Sequence, residues 1–171
     1  MDSYIDLAKK AIESYVRNKK VIKPPADLTK ELLERKAGAF VTLKKNGDLR
    51  GCIGTYLPSK KNLVEEIIAN AISSATADPR FDPVSIDELN KLKISVDVLS
   101  VPEKVDSLRA LDPKKYGIIV EAEDGRAGLL LPDLEGVDMV DEQISVACEK
   151  AGIDPSRDKF FISRFTVERH E

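Results

Sequence analysis

The chain has 171 residues, of which 42% are hydrophobic and 33% charged, with a formal net charge of −3. That size and balance suit one ordinary core and exclude a wholly disordered chain, while no apolar run approaches the ~20 residues of a membrane-spanning helix. Two cysteines and one histidine supply neither a disulfide framework nor a zinc site, so no metal and no cofactor are expected.

The start, Met1-Asp2-Ser3-Tyr4, shows no basic patch followed by an apolar stretch, so no secretory signal is read and a cytoplasmic location is expected. Tyr4/Ile5, Leu7/Ala8, Ala11/Ile12 and Tyr15/Val16 recur at helical spacing, with Lys9, Lys10, Glu13 and Arg17 on the wet face. This predicts an amphipathic helix that must stop before Pro24-Pro25, because proline lacks the amide donor. A short helical turn is expected within Leu28 to Arg35, then a strand from Ala39 to Leu43. Asn46-Gly47 tolerates positive φ and turns this strand into Leu49 to Gly54.

Asn62, with Glu65 three residues on, starts a second helix whose buried stripe is Leu63/Val64, Ile67/Ile68, Ala71/Ile72 and Ala75. Two prolines between Asp78 and Pro83 force a turn, and Ser85-Ile86-Asp87-Glu88 reads as a capping box opening a short helix. Leu92, Ile94, Val96 and Val98 alternate with Lys93, Ser95 and Asp97, the pattern of a half-buried strand with the second set wet. Tyr116 to Val120 and Gly128 to Leu131 form a second hairpin around Asp124-Gly125. Asp138 is expected to cap a last helix closed by Gly152, and Phe160 to Val167 returns as one strand. Helices interleaved with hairpins predict an α+β fold: a mixed, largely antiparallel sheet flanked by helices. The expected organisation is a single domain over 1–171, with a smaller helical lobe at about 57–83.

The segment Asp48-Leu49-Arg50-Gly51-Cys52-Ile53-Gly54 holds the strongest chemical candidates. In a regular strand Arg50 and Cys52 share one face about 7 Å apart. The long Arg50 side chain then folds back over the sulfur, and a guanidinium there favours the thiolate. Gly51 and Gly54 leave room for a ligand to approach. An inert packing thiol fits the same pattern, since free cysteine is among the most buried residue types. Cys148, on the apolar stripe of the last helix, is read as core. His170, next to the C-terminus, is expected to be solvated. Asp78 and Asp82 fit turn formation as well as acid–base work, and Arg80 is either an anion contact or a partner of Asp78.

Basic residues occur as scattered pairs, Lys9-Lys10, Lys19-Lys20, Lys44-Lys45 and Lys60-Lys61, and aromatics are 5%. A nucleic-acid binder advertises a basic face with stacking aromatics, so nucleic-acid binding is disfavoured and RNA is the weakest reading.

Leu49-Arg50-Gly51-Cys52-Ile53-Gly54-Thr55, preceded by Ala39-Phe40-Val41-Thr42-Leu43, resembles the signature of the AMMECR domain family. The resemblance continues through Asp78-Pro79-Arg80-Phe81, Leu89 to Ser100, Tyr116-Gly117-Ile118, Leu130-Leu131-Pro132 and Lys150-Ala151-Gly152, and so covers nearly the whole chain. It implies a compact α+β domain with a smaller helical part and brings no firmly assigned activity. It also implies Memo-like and radical-SAM proteins as partners, with redox or radical chemistry nearby. On these grounds Cys52 is the candidate thiolate and Arg50 its activator. Gly51, Gly54, Asp78 and Arg80 are candidate ligand contacts for a small anion. The alternative is a non-catalytic binding or adaptor module for a small anion or protein partner, in which Cys52 fills space.

Overall fold

The structure is a computed structural model and describes residues 2–26 and 28–171. Its chain divides into two compact units, one running up to Leu99 and including Glu168–Glu171, the other Ser100–Val167. The first unit contains α1 (Ser3–Asn18), α2 (Lys30–Glu34), β1 (Ala39–Lys45), β2 (Asp48–Thr55), α3 (Leu63–Thr76), a 3-10 segment (Ile86–Lys91) and β3 (Leu92–Leu99). Antiparallel β1 lies between β2 and β3, and β8 (Val167–His170) extends the sheet beyond β3, giving the order β2-β1-β3-β8.

Local chemistry sets these boundaries. The Asp2 carboxylate accepts the Tyr4 and Ile5 amides at the start of α1, and Lys19 closes it in the left-handed region. Asn62 caps α3 by accepting the Glu65 amide at 3.0 Å. Asn46 and Gly47, both at positive φ, make the β1–β2 turn. The apolar stripes of α1 and α3 meet over the inner face of the sheet. Ala8, Ile12, Ile67, Ala71, Val41 and Val96 are all fully or almost fully buried there. α3, within residues 57–83, packs on α1, β1 and β2, which bury its apolar face, and the chain divides into its two units at Ser100.

In the second unit the sheet order is β4-β7-β5-β6, from β4 (Glu103–Val105), β5 (Gly117–Ala122), β6 (Ala127–Leu130) and β7 (Phe160–Phe165), all antiparallel. Helix α4 (Val140–Ala151) buries Ala147 and Cys148 against Ile118, Val120 and Leu130. Cys148 is thus a core residue, and burial raises its thiol pKa. Gly152 ends α4 at φ 66°.

Three local expectations change. Asp138 does not cap α4: its carboxylate pairs with Lys114 at 2.7 Å, and Glu142 accepts the Met139 amide at the helix start. The final strand is two strands, β7 and β8, separated at Thr166. Asp97 is not on a wet face; it is buried and holds Arg169 of β8 through two hydrogen bonds, 2.8 and 3.1 Å. Among the described residues, no helix is long and apolar enough to cross a membrane.

Candidate functional site

The hairpin register places the cysteine. Lys45 faces Asp48 and Lys44 faces Leu49, but the next pair is Leu43 with Gly51, so Arg50 is an extra residue on β2. A bulge of this kind interrupts alternation and re-aims the side chain it carries. Beyond it Thr42 faces Cys52, and the Cys52 Sγ lies 3.2 Å from the Thr42 Oγ1. Cys52 is half-buried.

The bulge changes the partner expected for Arg50. Its guanidinium does not fold back over the sulfur. Its Nε and Nη2 donate to the two carboxylate oxygens of Glu88 at 3.0 and 2.9 Å. Lys45 Nζ adds a third donor to Glu88 at 2.8 Å, and the Ser85 amide a fourth at 2.9 Å. Both side chains of the Arg50–Glu88 pair are 15% exposed. Arg50 and then Lys45 hold the Glu88 carboxyl well below its ordinary range. The same pairing raises the Arg50 pKa.

The second cluster closes on the backbone of the same strand. Asp78 is buried, and its carboxylate accepts the Arg80 Nη2 and Nε at 2.7 and 3.0 Å, the Arg80 amide at 3.1 Å and the Cys52 amide at 2.9 Å. Arg80 Nη2 also donates to the Cys52 carbonyl at 3.3 Å. Both backbone groups of Cys52 are therefore held by one Asp–Arg pair. Arg80 is the main reason why the Asp78 carboxyl titrates far below its ordinary value. The Phe81 ring centre lies 5.9 Å from the Arg50 guanidinium and 5.5 Å from that of Arg80.

The two glycines are filled by the protein itself. A Cβ on Gly51 would collide with the Ser74 carbonyl of α3, and one on Gly54 with the Phe40 ring. Their missing side chains admit a helix backbone and an aromatic ring, which accounts for them without a ligand. Ser74 also donates to the Val41 carbonyl at 2.7 Å and accepts the Ile53 amide at 2.9 Å, pinning α3 to the hairpin.

The structure brings Arg50, Cys52, Asp78, Arg80 and Phe81 into one neighbourhood. Glu88, Lys45 and Thr42 join them without having been singled out. The Ser85-to-Glu88 capping signal placed Glu88 at the start of its 3-10 turn, but the carboxylate also serves Arg50, 38 positions away. His170 is likewise not solvated: its ring stacks on Tyr4 at 3.9 Å, its Nδ1 meets Asp2 at 2.6 Å and its Nε2 meets Glu168 at 3.1 Å. As arranged, the Cys52 surroundings offer a neutral hydroxyl beside the sulfur and two guanidinium groups already matched by carboxylates.

Comparison with known proteins places this arrangement in a wider set. A protein of Thermotoga maritima is 57% identical over 169 residues, covering 98% of this chain and 97% of its own. One of Clostridium acetobutylicum is 48% identical over 99% of this chain, yet this chain spans only 36% of that longer protein. The crystal structure of an uncharacterized protein from Pyrococcus horikoshii superposes with a TM-score of 0.88 at 38% identity, over 97% of this chain and 88% of that one. The AMMECR1 family itself matches over residues 5–170, and with the motif strand, the Asp78–Phe81 turn and the fold all in place, the chain belongs to that family.

Proposed function

We propose that the protein is a non-catalytic adaptor module whose Cys52 strand and Asp78–Phe81 turn form a preset recognition surface for a protein partner. The observation that carries this reading is the closed charge pairing at the motif. Arg50 is engaged by Glu88 and Arg80 by Asp78, so each guanidinium near the motif is already matched by a carboxylate, and the hydrogen-bond partner of the sulfur is the neutral Thr42 hydroxyl. A reactive thiolate needs a positive neighbour or a base to lower its pKa. A recognition surface needs rigid, satisfied side chains held in one geometry, because ordering them on binding costs affinity. The Arg80 side chain remains 54% exposed despite its hydrogen bonds, so it presents an oriented cation beside the Phe81 ring.

The longer Clostridium relative supports the module reading, since there the same domain is part of a larger chain. Memo-like and radical-SAM proteins are the partners proposed, as the motif resemblance implies. Titrating the protein with each candidate from one organism, followed by calorimetry, tests the idea. Arg80→Glu is expected to weaken the complex at least tenfold while Cys52→Ser stays within twofold, and a complex that fails to form, or equal losses from the two changes, refutes it.

The thiol-dependent alternative keeps one supporting observation: Cys52 is half-buried rather than sealed. Alkylation by iodoacetamide across pH separates the two readings. The adaptor reading expects Cys52 to react no faster than glutathione at pH 7, and a tenfold excess over glutathione transfers the assignment to thiol chemistry.

A further inference from the structure

A cavity of about 580 Å³ opens between the end of α1 with the segment after it and the outer side of α3. Its body is apolar: Tyr15, Ile22, Ile68, Ala69 and Ile72 line it. Ile68, Ala69 and Ile72 are one helical turn apart or less, so they present a continuous patch. The volume lies within the range of about 300–1,000 Å³ usual for small-molecule sites.

The rim is basic. Lys23 and Lys60 both line the opening, and among the described residues neither makes an ion pair. Lys19 adds charge nearby, its Nζ 5.4 Å from the Tyr15 ring centre. Lysines from two distant parts of the sequence, Lys23 and Lys60, thus meet at this one opening. Glu65 is the carboxylate in the lining, so the two lysines leave a positive balance. The position of Lys60 is fixed from below: its amide and that of Ser59 both donate to the buried Glu66 carboxylate at 2.7 Å. This gives the cation a stable base beside an apolar hole.

We propose that this cavity binds a small amphipathic carboxylate, with its aliphatic body against Ile68, Ala69 and Ile72 and its anionic head between Lys23 and Lys60. The site is independent of the Cys52 surface and uses none of its residues. Apolar burial supplies the affinity and the lysines choose an acid over a neutral compound of equal length.

Octanoate and 1-octanol are the probes, titrated separately into the full chain by calorimetry with amide NMR shifts to locate them. Octanoate is expected to bind saturably at one site, with shifts at Ile68, Ala69 and Ile72. The double variant Lys23→Gln/Lys60→Gln should weaken octanoate about five- to tenfold, since two partly exposed ion pairs are lost, and leave octanol within twofold. Ala69→Trp fills the cavity and should abolish both. The lysine variant changes only exposed side chains, so it remains informative if Ala69→Trp does not fold. Absence of saturable octanoate binding, equal losses of acid and alcohol in the lysine variant, unchanged binding in folded Ala69→Trp, or association with anionic vesicles alone would each overturn the proposal.

Discussion

Replacing Arg50 with alanine separates its service to Glu88 from any service to Cys52. Two charge-assisted hydrogen bonds, at 3.0 and 2.9 Å, join side chains that are each 15% exposed. Bonds to charged groups contribute roughly 1.5–3 kcal/mol each when well shielded. Glu88 keeps Lys45 and the Ser85 amide after the change, so it is not stranded. We therefore expect a loss of about 2–3 kcal/mol for Arg50→Ala, below the ~3–5 kcal/mol typical of a buried pair broken outright. A double-mutant cycle with Glu88→Gln, read by urea unfolding, should return a coupling of about 2 kcal/mol. In the same samples, the alkylation rate of Cys52 should change less than twofold. Coupling below about 0.5 kcal/mol, or a tenfold slowing of alkylation, would show that Arg50 acts on the sulfur and not on the 3-10 turn.

The acid side of the stability profile should follow Asp78 and Glu88. Their carboxyls titrate lower folded than unfolded, where values near 3.8 and 4.5 apply. Their contribution is therefore complete above about pH 5 and is lost as pH falls through the unfolded and then the folded values; Asp78→Asn should flatten that fall in urea titrations between pH 5 and 2. Gly51→Ala drives a methyl into the Ser74 carbonyl of α3 and should cost about 1–3 kcal/mol as an overpacked contact, whereas Gly47→Ala, which has open space at positive φ, should cost less than about 1.5 kcal/mol, chiefly from backbone strain. Arg169→Ala leaves Asp97 buried without its two hydrogen bonds; a loss of roughly 2 kcal/mol is expected, and Asp97→Asn in the same background should recover part of it.

Where the fold was legible, the signals were local. Asn46-Gly47, the Asn62 cap and Gly152 each decide a boundary through their own backbone or side chain, and each appears where the sequence pattern put it. What escaped was set by distant partners. Asp97 alternates with valines as a surface residue does, and only Arg169, 72 positions later, makes its burial tolerable. His170 reads as a frayed end until Asp2, from the opposite terminus, is placed against it. The candidate site shows the same division. The same-face argument for Arg50 and Cys52 assumed regular alternation, and the single extra residue on β2 removed that assumption. Gly51, next to Arg50, is a residue that often marks a bulge within a strand, but it does not tell which neighbour becomes the extra one.

The grip of Asp78 and Arg80 on Cys52 has a consequence for how copies of this protein behave at high concentration. β2 is the outermost strand of its sheet, and outermost strands invite other chains to pair with them. Here the carboxylate takes the amide, and the guanidinium takes the carbonyl, that an incoming strand would need. A fibril seeded at this border would first have to dislodge a buried ion, so the turn after α3 doubles as a guard against self-assembly.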